Sequence, residues 1–467
     1  MTTSPAPATR LRRACLPLLL ALASGAQAAD DGEGRSWLAG DHHVHSEWSV
    51  DWDTSTSPPT PIRGGDSPYS RTRNAQEARR HGLAWMVHTD HGGPNHSAVT
   101  RDSAWPALQQ ARIDVPEVLQ FHGMEFDVPA GEHASLIMAP GPHEAAMLVE
   151  LEQRFNRREA DPDARDTPEF MLQALQHMQR AQPQPQPLMF VNHPSRTATA
   201  VGAWGQVEPD ELRAWQDAGP DVLVGMEGAP GHQADRRHRG LYRNDAAKTR
   251  GGFDQMTAQL GGVWDTMLAE GRRFWITATS DSHRNADMGG ADYWPGEYSK
   301  TYVHARHDKA DILDGLRHGR MFAVTGDLIE SLDLQVEADG AAPATMGGAL
   351  EVTAGAPLTV RVAVTVPAGA NFNGDRNGID HIDVIIGHAS TDGTPVMAVH
   401  TVRPAQWTQD GSRIAFEMAL PAPETRGFVR VRGTSNTEIE PPPDVAGEDP
   451  WQDLWFYSNP VFVEVVR

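Results

Sequence analysis

The chain of 467 residues carries a formal net charge of −22, a single cysteine, 39% hydrophobic residues and 22% charged residues. These proportions are typical of a globular protein and exclude a disordered or membrane-embedded chain, while the length predicts two domains. The acidic excess argues against non-specific nucleic-acid binding, in which Lys and Arg replace counterions. An anionic small-molecule substrate is compatible with this charge, because bound metal ions reverse the local sign of a site.

The first residues have the pattern of an export signal. Arg10, Arg12 and Arg13 precede an apolar run at 15–22, and Ala26 and Ala28 have the spacing of a cleavage site. The run is too short to span a bilayer, so we expect no stable membrane insertion. We therefore predict a signal peptide at residues 1–28 and a periplasmic or secreted protein. Cleavage removes the only cysteine, so any metal ligands must be His, Asp or Glu.

Residues 36–328 alternate short apolar runs with helical patterns. The runs lie at 83–87, 188–191, 222–226 and 274–277, and helical patterns at 74–81 and 169–180 precede the first two. Such runs separated by helices predict an α/β fold with a parallel sheet buried on both faces. Each run ends at or just before polar residues, and chemistry at the carboxyl ends of parallel strands is the arrangement of a barrel.

Residues 329–467 have a different pattern. Apolar and polar residues alternate at 332–336, 358–362 and 428–432, with Gly, Pro, Asn and Asp between these stretches. That period is typical of half-exposed strands and predicts a C-terminal β-sandwich-like domain.

Histidines and carboxylates accumulate near the ends of the apolar runs. His43 and His45 are two positions apart, so their side chains point the same way on an extended strand and can bind one ion. The other ligand candidates are Asp51, His91, Glu125, His133, His193, Asp281 and His283. This set suits zinc, manganese or iron, and a carboxylate can bridge two ions held about 3.5–4 Å apart.

The order of these residues resembles the signature of the polymerase-and-histidinol-phosphatase (PHP) superfamily of metallohydrolases. The matching positions, covering residues 40–326, are the opening Asp41, His43, His45 and Ser46, then Thr89-Asp90-His91, Glu125, His193-Pro194, and the closing Asp281 and His283. The stretches 316–322 and 457–460 resemble its exported branch, which includes carbaryl-hydrolase-like proteins.

The resemblance implies a distorted (β/α)7 barrel with two or three divalent ions (Zn, Mn or Fe) at its mouth. It implies a first ion on His43, His45, Glu125 and Asp281. A second ion would lie on Glu125, His133 and His193, with Glu125 bridging. The third set would be Asp51, His91 and His283, although Asp51 stands where some members have a histidine.

Other polar residues near these motifs have both a catalytic and a structural interpretation. Arg196 is a candidate clamp for a substrate oxyanion, and with Asp281 and His283 it completes the set of catalytic candidates. Arg284 allows the same interpretation or surface pairing, and Glu227 and His232 allow a place in the pocket. Asp90 is expected to orient a ligand histidine. Packing or support of the ligands is expected of His42, His88, His96 and His122.

Three hypotheses for the activity follow. The first is a phosphoesterase that uses a metal-activated water, because several cations match a phosphoryl dianion. The second is a carbamate, ester or amide hydrolase, which the carbaryl-hydrolase-like resemblance implies. The third is a non-catalytic, metal-stabilised binding module. The sequence leaves the oligomeric state open.

Overall fold

The computed structural model describes residues 34–160, 162–181, 185–231, 242, 244–390, 393–445 and 447–466. The predicted signal peptide and His232 lie outside the described residues. Within them, no helix combines the length and the apolar character needed to cross a bilayer.

Up to residue 325, strands alternate with helices. The strands are β1 (Ser36–Asp41), β2 (Asp51–Asp53), β3 (Thr60–Ile62), β4 (Trp85–His88), β5 (Leu119–Asp127), β6 (His133–Ile137), β7 (Leu188–Val191), β8 (Leu223–Ala229), β9 (Trp275–Ala278), β10 (Ser299–Ala305) and β11 (Met321–Thr325). The α-helices are α1 (Arg71–Arg80), α2 (His96–Val99), α3 (Trp105–Asp114), α4 (Glu144–Phe155), α5 (Pro162–Arg165), α6 (Pro168–Gln179), α7 (Pro209–Ala218), α8 (Gln255–Ala258), α9 (Val263–Ala269) and α10 (Lys309–Arg317). The four predicted apolar runs form β4, β7, β8 and β9, and the two helical patterns form α1 and α6.

The remaining chain consists mostly of strands. They are β12 (Ser331–Ala338), β13 (Ala344–Thr345), β14 (Ala349–Thr353), β15 (Pro357–Thr365), β16 (His381–Ala389), β17 (Pro395–Val402), β18 (Thr408–Asp410), β19 (Arg413–Pro421), β20 (Gly427–Thr434), β21 (Trp455–Ser458) and β22 (Val461–Val466). The three stretches predicted from alternating polarity form β12, β15 and β20.

Most strands belong to one large mixed sheet. Its hydrogen-bonded order is β14-β22-β20-β21-β11-β10-β1-β4-β5-β6-β7-β8-β9, with β16 on β20 and β17 on β16. The pairs β1/β4, β4/β5, β7/β8 and β8/β9 are parallel, as predicted. The sheet as a whole is mixed, because β6 runs antiparallel to both β5 and β7, and β10 is antiparallel to β1 and β11. A second, antiparallel sheet contains β13-β12-β15-β19-β18.

The large sheet curls without a closed ring of strand pairs among the described strands. Its terminal strand β9 returns to β10, where Ala278 N–H donates to Thr301 Oγ1 at 2.9 Å and Thr301 Oγ1–H donates to Ala278 O at 2.8 Å. Val44, just after β1, and Ser282, just after β9, form a parallel β-bridge. The segments that follow β1 and β9 are therefore brought side by side.

Local sequence explains how these elements begin and pack. The side chain of Ser70 accepts a hydrogen bond from Arg73 N–H and caps α1, and Thr167 caps α6 in the same way before Pro168. Gly40 lies under the Trp85 ring, where an added Cβ would come within 1.9 Å of it. The absence of a side chain at Gly40 lets the buried indole cover β1 directly.

A buried ion pair joins the C-terminal strands to the first part of the chain. Arg430 on β20 donates to both carboxylate oxygens of Asp265 on α9 at 2.8 Å, and both side chains are fully buried. The bidentate geometry satisfies a charge that would otherwise be costly to bury. Strand β21 also pairs with β11, so backbone hydrogen bonds cross the predicted domain boundary near residue 328.

Candidate functional site

The predicted ligand residues converge at one end of the large sheet. His43 and His45 follow β1, His91 follows β4, and Glu125 lies within β5. His133 is the first residue of β6, and His193 follows β7. Asp281 and His283 follow β9. Residues widely separated in the chain meet because these strands present their ends at the same edge.

The first group of donor atoms surrounds Asp281. Its Oδ1 atom lies 3.1 Å from Nε2 of His43 and 3.1 Å from Nε2 of His45. The two Nε2 atoms are 3.0 Å apart, and His43, His45 and Glu125 each offer an atom to one potential ion site. All four side chains are almost completely buried.

Glu125 connects the first group to the rest of the site. Three histidine nitrogens lie around its Oε1 atom, from His43 at 3.2 Å, His133 at 3.1 Å and His193 at 3.1 Å. Two more lie near Oε2, from His91 at 2.9 Å and His45 at 3.5 Å. One buried carboxylate therefore faces five imidazoles, the arrangement expected of a ligand shared by two ions.

A third group forms where His91 and His283 approach Asp66. The Oδ2 atom of Asp66 lies 3.1 Å from His283 Nε2 and 3.7 Å from His91 Nε2, and His45 completes the group. The structure does not bring Asp51 into it. Asp51 is exposed on β2, which pairs with β3, and Asp66 lies further along the chain, after β3.

The position of Asp66 beside these histidines has a local cause. Ser67 Oγ–H contacts the carbonyl oxygens of His45 at 3.2 Å and of His283 at 3.0 Å, which holds the end of this loop against the site. Arg284 donates to the carbonyl oxygens of Gly65 and Asp66 from the other side. The guanidinium of Arg284 is thus engaged with the loop and supports Asp66.

Carboxylates and hydroxyls behind the histidines fix their orientation. Glu227 Oε1 accepts from His43 Nδ1 at 2.6 Å and from Thr279 Oγ1 at 2.8 Å, and its Oε2 accepts from His193 N–H at 2.6 Å. Ser49 Oγ lies 2.9 Å from His45 Nδ1. Such partners set the tautomer and ring orientation of ligand histidines, so Glu227 supports two groups at once.

Asp90 contacts the backbone segment next to His45 and not the imidazole ring itself. It accepts from Ser46 N–H at 2.6 Å and Ser46 Oγ–H at 2.9 Å, and it pairs with the buried Arg71 at 2.7 Å. Burial would raise the pKa of Asp90, but Arg71 together with the hydrogen bond from Ser46 outweighs burial and lowers the pKa to about 2. Asp90 therefore anchors the segment that carries His45 and does not hydrogen-bond a ligand imidazole.

Arg196 lies at the rim of the second group. Its guanidinium forms an ion pair with Glu132, whose carboxylate also lies 3.5 Å from His193 Nδ1 and 3.9 Å from His133 Nδ1. Glu132, His133 and His193 form a further set of potential ligands. The side chain of Arg196 is 24% exposed, which leaves it accessible to a molecule at the site.

The pKa values show how strongly these groups depend on each other. Burial would raise the pKa of Glu125, but the charges of His133, His91 and His43 outweigh burial and hold the pKa well below its usual range. Burial would lower the pKa of His133 and of His283, but neighbouring carboxylates raise both to about 10. Burial and the neighbouring His283 and His91 lower the pKa of His45 to about 3. The carboxylates of the site thus favour positively charged groups beside them.

The donor set fits divalent metal ions that accept nitrogen and oxygen ligands. When Nδ1 of His43 donates to Glu227, Nε2 of the neutral ring carries a lone pair directed at His45 and Asp281. Lone pairs that converge on one point repel each other unless a cation lies between them. Imidazole nitrogens and carboxylate oxygens, without thiolates, are the ligands these metals accept.

The four flanking histidines pack away from these groups. His42 Nε2 contacts Thr277 Oγ1 at 2.8 Å, and His88 Nε2 contacts Gln120 Oε1 at 3.1 Å. His96 pairs with Glu152 at 2.6 Å, and His122 packs against Trp105 with ring centroids 5.0 Å apart. None belongs to a potential metal group among the described residues.

The sequence did not identify Asp66, assigned no role to Glu132, and gave Glu227 only a place in the pocket. Asp66 lies in the segment 51–72, which is rich in Ser, Pro, Gly and Thr and has the composition of an ordinary loop. Glu132 precedes His133 directly, and Glu227 ends an apolar run, so the position of each near a strand end was the available signal.

Comparisons with known proteins add little to this description. No family model and no curated protein matches the chain. A crystal structure of endonuclease Q with a 27-mer duplex substrate has 12% identity and a TM-score of 0.31, covering 61% of this chain and 56% of that chain. A β-glucosidase from Listeria innocua in complex with gluconolactone has 12% identity and a TM-score of 0.14, covering 56% of this chain and 39% of that chain. Similarity this low assigns neither a fold family nor a function.

Proposed function

We propose that the protein is a metal-dependent hydrolase of phosphoester or phosphodiester bonds. The observation that carries the proposal is the position of Glu125, whose two carboxylate oxygens face five histidines in a buried site. A core histidine needs one or two hydrogen-bond partners, whereas five imidazoles around one carboxylate match a multinuclear centre.

The residues divide into three sets. His43, His45, Glu125 and Asp281 would hold a first ion, and Glu125, His133 and His193 a second. Asp66, His91 and His283 would hold a third, in place of the set predicted with Asp51. When bound, such ions activate a water molecule and neutralise negative charge on the substrate and leaving group.

The chain's own residues supply orientation and charge. Glu227 holds the rings of the first two sets by its hydrogen bonds to His43 and to the backbone of His193. Arg196 carries its charge on a long side chain at the rim of the site. We propose that it exchanges part of its contact with Glu132 for a contact with an oxygen of an anionic substrate. Asp281 and His283 are also proposed to handle protons, in addition to their places in the first and third sets, because both lie beside the positions where ions would activate the water.

A phosphoester is favoured over a carbamate or carboxylic ester by charge. Three groups of cation ligands together with Arg196 suit the several oxygens of a phosphoryl group, whereas a neutral ester presents one developing oxyanion. The expected partner is therefore a small anionic molecule. We also propose that residues 36–328 form the distorted (β/α)7 barrel of the PHP superfamily and that the protein is exported.

The test combines metal analysis with a substrate panel. The purified protein is analysed for bound metals by mass spectrometry and assayed on aryl phosphates, phosphodiesters, esters and naphthyl carbamates. We expect two or three ions per chain and phosphoester turnover, with both lost in His45→Ala and Asp281→Ala. The matched control is His88→Gln, which removes a buried histidine outside the potential metal groups and should keep both properties.

Three results separate the alternatives. Turnover of carbamates or esters without phosphoester turnover would favour the second class of hydrolase. Stoichiometric metal without turnover of any substrate would favour a binding module. A folded protein that takes up no ion, or activity that survives both ligand substitutions, would refute the proposed site.

A further inference from the structure

A second cluster of carboxylates lies far from the histidines in sequence, in the loop that connects β20 to β21. Asp444, Glu448 and Asp453 each place one oxygen within 4.8 Å of the others. Asp444 is 4% exposed and Asp453 is 8% exposed. Three carboxylates at this spacing repel each other strongly unless they are protonated or share a cation.

The surroundings of the cluster do not neutralise it. Burial, together with the charges of neighbouring carboxylates such as Glu448, raises the pKa of Asp444 to about 7 and that of Asp453 to about 6, although hydrogen bonds to both side chains oppose the rise. In the part of the chain that the structure describes, neither carboxylate has a Lys, Arg or His among the main influences on its pKa. Desolvation and like charge therefore act in the same direction.

Asp453 provides a separate indication of a ligand. Its Oδ1 atom accepts from Trp455 Nε1–H at 2.8 Å and from Asn436 Nδ2–H, which fixes the carboxylate. Its Oδ2 atom is buried and has no hydrogen-bond partner within the described structure. A buried carboxylate oxygen without a hydrogen bond is unfavourable, so such an atom marks a place for a cation or an ordered water.

We propose that Asp444, Glu448 and Asp453 bind a calcium ion. The three side chains offer only oxygen atoms, which hard cations prefer, and no imidazole of the kind that dominates the other site. Three carboxylates together with backbone oxygens and water make up a calcium shell of six to eight ligands. The site is therefore chemically distinct from the histidine-rich centre and does not depend on the proposed hydrolase function.

The position of the cluster gives the ion a structural role. Asp444 accepts hydrogen bonds from Gly251 N–H at 2.7 Å, Gly252 N–H at 2.9 Å and Thr249 Oγ1–H at 2.6 Å. Arg250 also donates to the carbonyl oxygen of Pro441 at 3.3 Å. Calcium on Asp444 thus fastens the β20–β21 loop to the 249–252 loop of the first part of the chain.

The experiment measures calcium binding to the full-length protein after dialysis against metal-free buffer. Equilibrium dialysis with calcium chloride should show one ion per chain with a Kd of about 10⁻⁴–10⁻³ M or tighter, and Tm should rise with calcium concentration. Glu448→Gln, at a half-exposed position, and Asp453→Asn should each weaken binding about tenfold or more, because the charge count of the ligands sets the affinity. Glu424→Gln removes an exposed carboxylate elsewhere and should change neither quantity.

His45→Ala separates this site from the histidine-rich centre. Calcium binding that survives His45→Ala and is lost in Glu448→Gln supports the proposal even if no hydrolase activity is found. Calcium binding lost in His45→Ala but kept in Glu448→Gln would place the ion at the other site and overturn the proposal. Absence of calcium binding to the folded parent, or equal binding by Glu448→Gln and the parent, would overturn it as well.

Discussion

Substitution of Glu227 by Gln tests whether the carboxylate behind the histidines sets metal affinity. The change preserves size and removes one charge in a fully buried position. Glu227 accepts three hydrogen bonds, from His43 Nδ1, Thr279 Oγ1 and His193 N–H. Gln has one oxygen, so its amide N–H₂ must face either the His43 side or the backbone N–H of His193.

The magnitude follows from that mismatch. At least one hydrogen bond is lost and two donors face each other, which costs about 1–3 kcal/mol. Loss of such a supporting partner typically lowers metal affinity or activity about 10–100-fold, which corresponds to a similar free energy. We therefore expect Glu227→Gln to fold, to bind metal about 10–100-fold more weakly, and to lose turnover in proportion.

The assay is competition with a chelator of known affinity, combined with kcat and KM. The control is Glu152→Gln, because Glu152 holds a buried histidine, His96, at the same 2.6 Å distance outside the potential metal groups. This control should lose stability without losing metal affinity. Equal metal affinities for Glu227→Gln and the parent, or an equal loss in both variants, would refute the reasoning.

Further predictions concern the third set of candidate metal ligands, the stability of the fold and the pH dependence of that stability. Asp66→Asn should lower turnover while exposed Asp51→Asn should not, as steady-state kinetics will show. Asp265→Ala leaves the buried Arg430 unpaired and should cost about 3–5 kcal/mol of unfolding free energy in denaturant titrations. Burial opposes protonation of His96, but its carboxylate partner raises its pKa to about 9. Because that pKa exceeds the ordinary 6.5, the stabilisation from the His96–Glu152 pair is complete below about pH 6.5 and is lost as the pH rises through 9. The unfolding free energy of His96→Gln, measured in denaturant titrations at several pH values, should lack this loss.

The sequence predicted those parts of the site that depend on local order. Apolar runs identified β4, β7, β8 and β9, and polar residues that end such runs necessarily lie at the end of the sheet. His43 and His45 kept their common direction because Val44 between them is extended and bridged to Ser282. The local sequence pattern was sufficient to place a candidate ligand wherever that residue directly follows a buried strand.

Contacts between distant segments account for the errors. Asp66 reaches the site through hydrogen bonds of Ser67 to two carbonyl groups, one of them 216 residues away. Glu227 meets His43 across 184 residues. The antiparallel course of β6 depends on a tight turn at 128–132, which contains the turn-forming residues Pro129 and Gly131 and also places Glu132 beside Arg196. No periodicity encodes such pairings.

Backbone geometry explains how the chain positions two of the candidate ligands. His193 has a φ of 30° and Asp281 a φ of 46°, a region that costs non-glycine residues about 1–3 kcal/mol each. The hydrogen bond from His193 N–H to Glu227 and that from Ser280 N–H to Asp41 oppose this strain with buried carboxylate acceptors. Since both acceptors belong to the sheet, the protein itself fixes these two turns. The side chains are consequently oriented before any ion binds, and this lowers the entropy lost when a metal centre assembles.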